Sequence, residues 1–415
     1  MPRVRRVVPL LIAVLALALP ARARAADEAP AKTYTIGAIH SETGRFSEVA
    51  KMVRDGYRLA IDTINAAGGI TVDGTRYRLA LETADDGSTA DGVRRAARRL
   101  VNEADVDALL GPYGAALTSA AVPVAEKAGI PLVAGNGSGD LLFEADPRYL
   151  FSIPTATDRY LAGVIDMVGR HALAHGRDPA HLRIALAFKT DAGTADVRAG
   201  VVRAIRRWGM EIVVDADLPA SPRPGDMAAI VERVRKKRPD AFLVSGHDKG
   251  GLLAVRRMAA TDTYVPMLAV THCEAADLIE KTGKAAAYTV CATQWDRFMP
   301  YSDRRFNTAN EYAFLFKERF GYEPPYQAAQ STAAVLVLAR AVERAGSPAP
   351  RAVRGALART DTSTVFGPVR FRDGRNTAHP MLFYQVRDGA YRVVGPGRWA
   401  WADLVYPAPP DDPPF

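Results

Sequence analysis

The sequence predicts an α/β protein of two lobes, each a parallel central sheet flanked by helices, and three observations carry that expectation. Short apolar strands alternate with amphipathic helices from Tyr34 onward, which is the pattern of a parallel sheet buried on both faces. The alternation pauses at Phe151-Ser152-Ile153-Pro154-Thr155-Ala156-Thr157 and then starts afresh. The 415 residues, 48% hydrophobic and 24% charged, have an ordinary globular composition and a length suited to two or three domains of about 150 residues each.

The first element is not part of either lobe. MPRVRRVVPLLIAVLALALPARARA carries arginines at 3, 5 and 6, an apolar run from Val7 to Leu19, and the small-x-small triplet Ala23-Arg24-Ala25, the order of a secretory signal peptide. The run is shorter than the roughly 20 residues of a membrane span. Residues 1–25 hold five arginines and no acids, so without them the formal charge falls from +8 to +3. No basic tract then remains for nucleic acid, and Arg94-Arg95 and Arg98-Arg99 read as a solvated helix face.

The first run reads YTIGAI (strand), VAKMVRDGYRLAIDTINAAGG (helix), YRLALETADD (strand), TADGVRRAARRLVNEA (helix), VDALLGP (strand) and IPLVAG (strand). The second reads YLAGVIDMVGRHALAHG (helix), RIALAF, TADVRAGVVRAIRRWG (helix), EIVVDADL, MAAIVERVRKKR (helix), AFLVSG, GGLLAVRRMAAT (helix), PMLAV and YTVCAT. Two long helices, DRRFNTANEYAFLFKERFG and PYQAAQSTAAVLVLARAVERAG, and a β-rich remainder are divided between the lobes. In open parallel sheets ligands sit outside the carboxyl ends of the strands, so the loops that follow strands are the ones to inspect.

Several chemistries are excluded there. Gly135, Gly137 and Gly139 read GxGxG, but the third glycine comes one position early for a dinucleotide loop and no acid ends a strand about 20 residues later. Ser138 has Asn136 and Asp140 where a nucleophile elbow needs glycines. His40, His247 and His272 fall in post-strand loops, yet no nucleophile or orienting carboxylate stands at a recognisable spacing, so they read as ligand contacts rather than catalysts. His171, His175, His181 and His379 read as surface residues of helices or loops. No metal-ligand spacing recurs around His272, and no cofactor is expected. Cys273 and Cys291 can form one disulfide if their elements lie side by side.

IGAIHSETG with INAAGG, the acidic pair after LALET, LVNEADVDALLGP, AAVPVAEKAGIPLV, FKERFGYEPPYQAAQST, VFGPVRF and LVYPAPP occur in an order that spans nearly the whole chain. Together they resemble the type I periplasmic substrate-binding proteins of the branched-chain and hydrophobic amino-acid (amide) ABC transporter family. The resemblance implies two Rossmann-like lobes joined by three crossovers, near 153–157, 293–296 and 366–370. It implies a signal peptide over 1–25, lobe 1 over 33–153 plus 296–366, lobe 2 over 157–293 plus 367–400, and a proline-rich tail over 401–415. It also implies a periplasmic, non-catalytic protein that closes on a small organic ligand and delivers it to an inner-membrane permease; a ligand-sensing regulator or receptor module of the same fold is the alternative.

By the same resemblance, the ligand's anionic end meets the loops after LLGP and IPLV, at Gly114, Ala115, Gly137 and Ser138. The first loop departs from the family's serine and glycine, having Gly114, Ala115 and Ala116, with Thr118 one turn on as a substitute hydroxyl. The family's acid for an ammonium group falls near Thr271 or His272, where Glu274 is the nearest carboxylate, and a family tyrosine is missing near Gly193. Phe46, Tyr113, Trp295 and Tyr326 complete the candidate cleft together with His247 and His272, on the rule that such pockets are mainly apolar with few polar groups.

Overall fold

The computed structural model describes residues 32–409 other than 220 and 275, without the side chains of 192, 247 and 248. The expected signal peptide and the last six residues of the expected tail lie outside the described residues. The first half runs β1 (Lys32–His40), α1 (Ser47–Ala66), β2 (Ile70–Val72), β3 (Thr75–Asp85), α2 (Ala90–Asn102), β4 (Ala108–Leu110), α3 (Ala115–Ala128), β5 (Leu132–Ala134) and β6 (Leu150–Ser152). It continues with α4 (Ala162–Ala174), β7 (Arg183–Lys189), α5 (Ala192–Trp208), β8 (Glu211–Leu218), α6 (Pro224–Lys237), β9 (Ala241–Ser245), α7 (His247–Ala260), β10 (Leu268–Thr271), α8 (Leu278–Thr282) and β11 (Val290–Thr293). A small ribbon of β12 (Ser302–Asp303) and β13 (Asn307–Thr308) leads into α9 (Ala309–Phe320), α10 (Tyr326–Ala345) and α11 (Pro350–Ala358). The chain ends with β14 (Asp361–Thr364), β15 (Gly367–Arg372), β16 (Arg375–Asn376), β17 (Leu382–Arg387) and β18 (Ala390–Gly395).

Two large sheets result, in the orders β14-β15-β16-β6-β5-β4-β1-β3-β2 and β18-β17-β11-β10-β9-β7-β8. Their inner strands are parallel, as in the register Ile36↔Ala108 or Val270↔Cys291. Alternate residues of these strands enter different cores: Leu110, Phe242 and Val270 join an apolar cluster that runs from one lobe to the other through Trp295, Tyr301 and Phe366. Leu109 joins the outer core of the first lobe, and Leu243 and Ala269 that of the second. Strands covered on both faces must be apolar at every position, which explains their continuous hydrophobic runs. Helix α10 is buried along nearly its whole length. It crosses α1 so closely that a Cβ on Gly56 would lie 2.4 Å from Ala328 O, so only glycine fits there.

The strands expected together over 367–400 are shared between the sheets. β15 and β16 pair into the first, with Arg375↔Ser152, whereas β17 and β18 pair into the second. The third crossing therefore lies within 377–381, later than the position near 366–370, because the β14–β15 hairpin adds to an edge of the first sheet and Asn376 Nδ2 donates to Ile153 O at 2.8 Å.

The three crossings are tied side by side. Thr155 N donates to Gln294 Oε1 at 2.8 Å, Thr155 Oγ1 lies 3.0 Å from His379 Nδ1, and His379 Nε2 lies 2.9 Å from Phe366 O. A carbonyl only accepts, so Nε2 carries the proton and Nδ1 is the acceptor. His379 is thus no surface residue but fully buried, stacked on the Phe366 ring at 4.1 Å, and burial lowers its pKa to about 4. The tail is not free either: Ala408 N donates to Pro266 O at 2.8 Å and Tyr406 is buried. No helix of the described residues is long and apolar enough to cross a membrane.

Candidate functional site

The carboxyl ends of β1, β4 and β5 face those of β10 and β11 across the crossings, and the loops beyond them supply the site. On the first lobe Phe46 opens α1 and meets Tyr113 edge to face at 5.5 Å between ring centres. Gly114 has φ 83°, a conformation suited to glycine, and caps α3 without a side-chain hydrogen bond. Its own N–H donates to Asn136 O at 2.9 Å, and the first-turn N–H groups of Ala115, Ala116 and Leu117 have no side-chain cap among the described residues. These, with the helix dipole, favour an anion.

Gly137 is buried, and a Cβ there would lie 2.3 Å from Thr118 Oγ1; the glycine makes room for Thr118, and its carbonyl accepts from Ser152 Oγ at 2.6 Å. Thr118 is fully buried and donates within its own loop, to Gly114 O at 2.8 Å and Pro112 O at 3.1 Å, so it does not replace the missing hydroxyl. Ser138 Oγ lies 3.0 Å from Thr157 Oγ1 on the other side of the first crossing. Beside it Asp140 N donates to Asp196 Oδ2 on α5 at 3.0 Å, a second polar contact from lobe to lobe.

The floor is aromatic and acidic. Tyr326 opens α10, is 5% exposed, and its hydroxyl is hydrogen-bonded to that of Tyr160 from the second lobe. Gln294 Nε2 donates to the Tyr160 hydroxyl at 2.6 Å, and His272 stacks on the Tyr160 ring at 6.0 Å. Burial raises both phenols above their ordinary range, and the neighbouring Glu274 charge raises them further, so they remain neutral donors. His272 follows β10 directly with φ 61°, and this left-handed turn takes the chain out of the sheet.

Glu274 lies between these rings and the hinge. Its surface stays partly accessible although the protein surrounds it, as for a group at the bottom of a cleft. Burial, with repulsion from Asp296, raises its pKa to about 7 against the hydrogen bonds of Thr293 and Tyr384. Thr293 Oγ1 donates to Glu274 Oε2 at 2.9 Å, and the Tyr384 hydroxyl donates to Asp296 Oδ2 at 2.8 Å. Thr271 Oγ1 and Gln330 Oε1 are buried without a hydrogen-bond partner among the described residues, an arrangement that calls for a polar group from outside the chain.

The structure thus brings Tyr113, Tyr326, His272 and Glu274 together, with Phe46 beside Tyr113. Trp295 is elsewhere: its indole N–H donates to Val365 O at 2.8 Å and its ring packs on Tyr312 inside the hinge, because the second crossing turns it away from the cleft. The side chain of His247 lies outside the described residues. Sequence reasoning missed Tyr160, which reads as the first residue of an amphipathic helix, and Tyr384, which alternates with Leu382 and Val386 as in any buried strand. Of two surface concavities, one of about 560 Å³ at Arg45, Ser88 and Ala116 adjoins the first turn of α3, and one of about 410 Å³ is lined by Arg95, Arg98 and Arg99 on α2. The second runs along α2 away from the tyrosines and Glu274, so the bonded and stacked side chains locate the site better than the hollows do.

Facing sheets, three crossings and a polar aromatic floor drawn from both sides define a two-lobed ligand-binding protein. The chain belongs to the periplasmic binding protein family, whose model matches residues 33–390. It is 25% identical over 321 residues to the Leu/Ile/Val-binding protein homolog 8 of Brucella suis biovar 1 (strain 1330), covering 76% of each chain. Among solved structures, the branched-chain amino acid transporter substrate-binding protein LivJ of Streptococcus pneumoniae in complex with isoleucine superposes with a TM-score of 0.72 at 23% identity, over 88% of this chain and 100% of that one. An ABC transporter solute-binding protein of Rhodopseudomonas palustris BisB5 in complex with 3,4-dihydroxybenzoic acid gives 0.69 at 20% identity, over 86% and 95%.

Proposed function

We propose that the chain is the extracytoplasmic capture component of an ABC importer, which closes its lobes on a small organic compound and presents it to a membrane permease. The compound is an amino acid, or an aromatic acid or amide. The observation that carries this reading is Glu274 of one lobe set against Tyr326 and Tyr113 of the other, around a cleft with buried polar atoms still to be paired. An anionic end fits the uncapped N–H groups at Ala115 and Ala116, a cationic or hydrogen-donating end fits Glu274, and an apolar body fits the phenol rings. Closure needs no turnover, because a ligand touching both lobes stabilises the closed state by those contacts alone.

Relatives of this fold were solved with isoleucine and with 3,4-dihydroxybenzoic acid, which brackets the two ligand classes. A thermal-shift screen of the mature chain tests the reading, since a compound bound only by the folded state raises stability by RT ln(1 + [L]/Kd), about 2.7 kcal/mol at a hundredfold excess over Kd. A shift with leucine-like compounds assigns Glu274 to an ammonium group. A shift confined to compounds without an α-amino group assigns the cleft to aromatic acids or amides, and no shift with any of these classes contradicts the proposal.

A further inference from the structure

Cys273 and Cys291 are joined, with their Cα atoms 6.0 Å apart. The bond sits one residue from Glu274. The β10–β11 ladder ends at Thr271↔Ala292, and beyond it the backbone hydrogen bonds of the outgoing segment are local: Ala276 N to His272 O, Asp277 N to Glu274 O and Leu278 N to Cys273 O, each 3.0–3.1 Å. None of them reaches β11. Two ties that do are the disulfide and the hydrogen bond from Thr293 to Glu274. Cys291 and Thr293, two apart on one strand, face the same way, and Tyr384 stands directly opposite Cys291 on β17.

We propose that the Cys273–Cys291 disulfide is a positioning element of the ligand site, holding Glu274 against Thr293 and Tyr384 so that the oxidised protein binds its ligand more tightly than the reduced one. This rests on the reading of Glu274 as a ligand contact. An oxidising extracytoplasmic compartment keeps such a bond formed, so the site is assembled where it is used. The raised pKa of Glu274 accords with this placement, since a carboxyl free to swing toward water recovers an ordinary value. Asp296 and the phenols of Tyr160, Tyr326, Tyr384 and Tyr391 are the other titratable groups coupled to it.

The test compares the oxidised full mature chain with Cys273→Ala/Cys291→Val, which keeps an apolar filling of the buried site, and with the native chain reduced by a phosphine. Each is first shown to unfold cooperatively. The Glu274 carboxyl is then followed by carbon NMR of glutamate-labelled protein, assigned by subtraction of Glu274→Gln. Loss of the bond is expected to lower its midpoint by about one pH unit or more. L-leucine and benzoate serve as calorimetric probes, and loss of about tenfold in affinity is expected for whichever binds, the worth of one charged hydrogen bond. An unchanged midpoint in both unbridged forms overturns the proposal and leaves the disulfide a chain staple. If neither probe binds the native chain, the midpoint still decides the positioning role, and the choice of ligand class fails separately.

Discussion

Hinge and cleft are built from the same side-chain types, and they differ in what those side chains meet, although the Tyr301 hydroxyl beside His379 is also without a partner among the described residues. At the hinge the His379 ring uses both nitrogens, stacks on Phe366 and shares Thr155 with the first crossing. In the cleft, Thr271 Oγ1 and Gln330 Oε1 lack partners among the described residues, and two carboxyls converge on Tyr384. An unpaired buried polar group costs about 1–3 kcal/mol. Pairing at the hinge fixes where the crossings lie, whereas the cleft holds groups that a bound molecule can satisfy.

The sharpest way to break this comparison is to truncate one side chain in each region. Phe366 is fully buried, and Phe366→Ala is expected to cost about 3–5 kcal/mol in denaturant unfolding, from lost burial and a cavity against His379. Tyr326→Phe removes only a hydroxyl that meets Tyr160, and is expected to cost less than about 1.5 kcal/mol while lowering ligand affinity. Equal losses of stability would mean that the cleft is as much a structural core as the hinge.

Acid dependence separates the two regions by sign. His379 titrates near 4 in the folded chain and near 6.5 when unfolded, so the unfolded state binds more protons between these values and its contribution falls as the pH drops. Glu274 titrates near 7 when folded and near 4.5 when unfolded; here the folded state binds more protons, and stability falls as the pH rises through that window. Each effect is at most about 3 kcal/mol, less for Glu274 because solvent reaches part of it. In the native chain the two oppose one another between about pH 4.5 and 6.5. Glu274→Gln is expected to steepen the loss of stability on acidification, and His379→Gln to flatten or reverse it, by urea titration at pH 4.5, 5.5 and 6.5. Parallel profiles for both variants would show that neither group is shifted as the structure places it.

The lobes and their strands were legible because parallel strands covered on both faces must be apolar throughout, as in AFLVSG and IPLV. The third crossing was not, since β15 and β17 are short strands joined through β16 and a short loop, and only their hydrogen bonds show which sheet each joins. Glu274, Tyr113 and Tyr326 stood out as polar or aromatic residues in post-strand loops or at a helix start. Tyr160 and Tyr384 did not, because a tyrosine at a core position looks the same in sequence whether its hydroxyl meets the cleft or the interior. His379 misled for the converse reason: its burial depends on Thr155 of the first crossing and on Phe366 in the turn before β15, both remote from it in the chain.

The smallest expected effect decides what Ser138 does. Its hydroxyl lies against Thr157 from the other lobe, so the pair belongs to closure unless a ligand displaces it. Ser138→Ala and Thr157→Val are each expected to weaken closure by about 1 kcal/mol, roughly fivefold in apparent affinity. The double variant should lose little more than either single one, because the two changes remove the same contact. X-ray scattering with the identified ligand would show a smaller compaction in all three. If Ser138 instead bonds the ligand's anionic end, Ser138→Ala alone lowers affinity and Thr157→Val leaves it unchanged. The Asp140–Asp196 contact nearby remains intact in both variants, so either pattern of loss reports on the serine and not on the whole rim of the cleft.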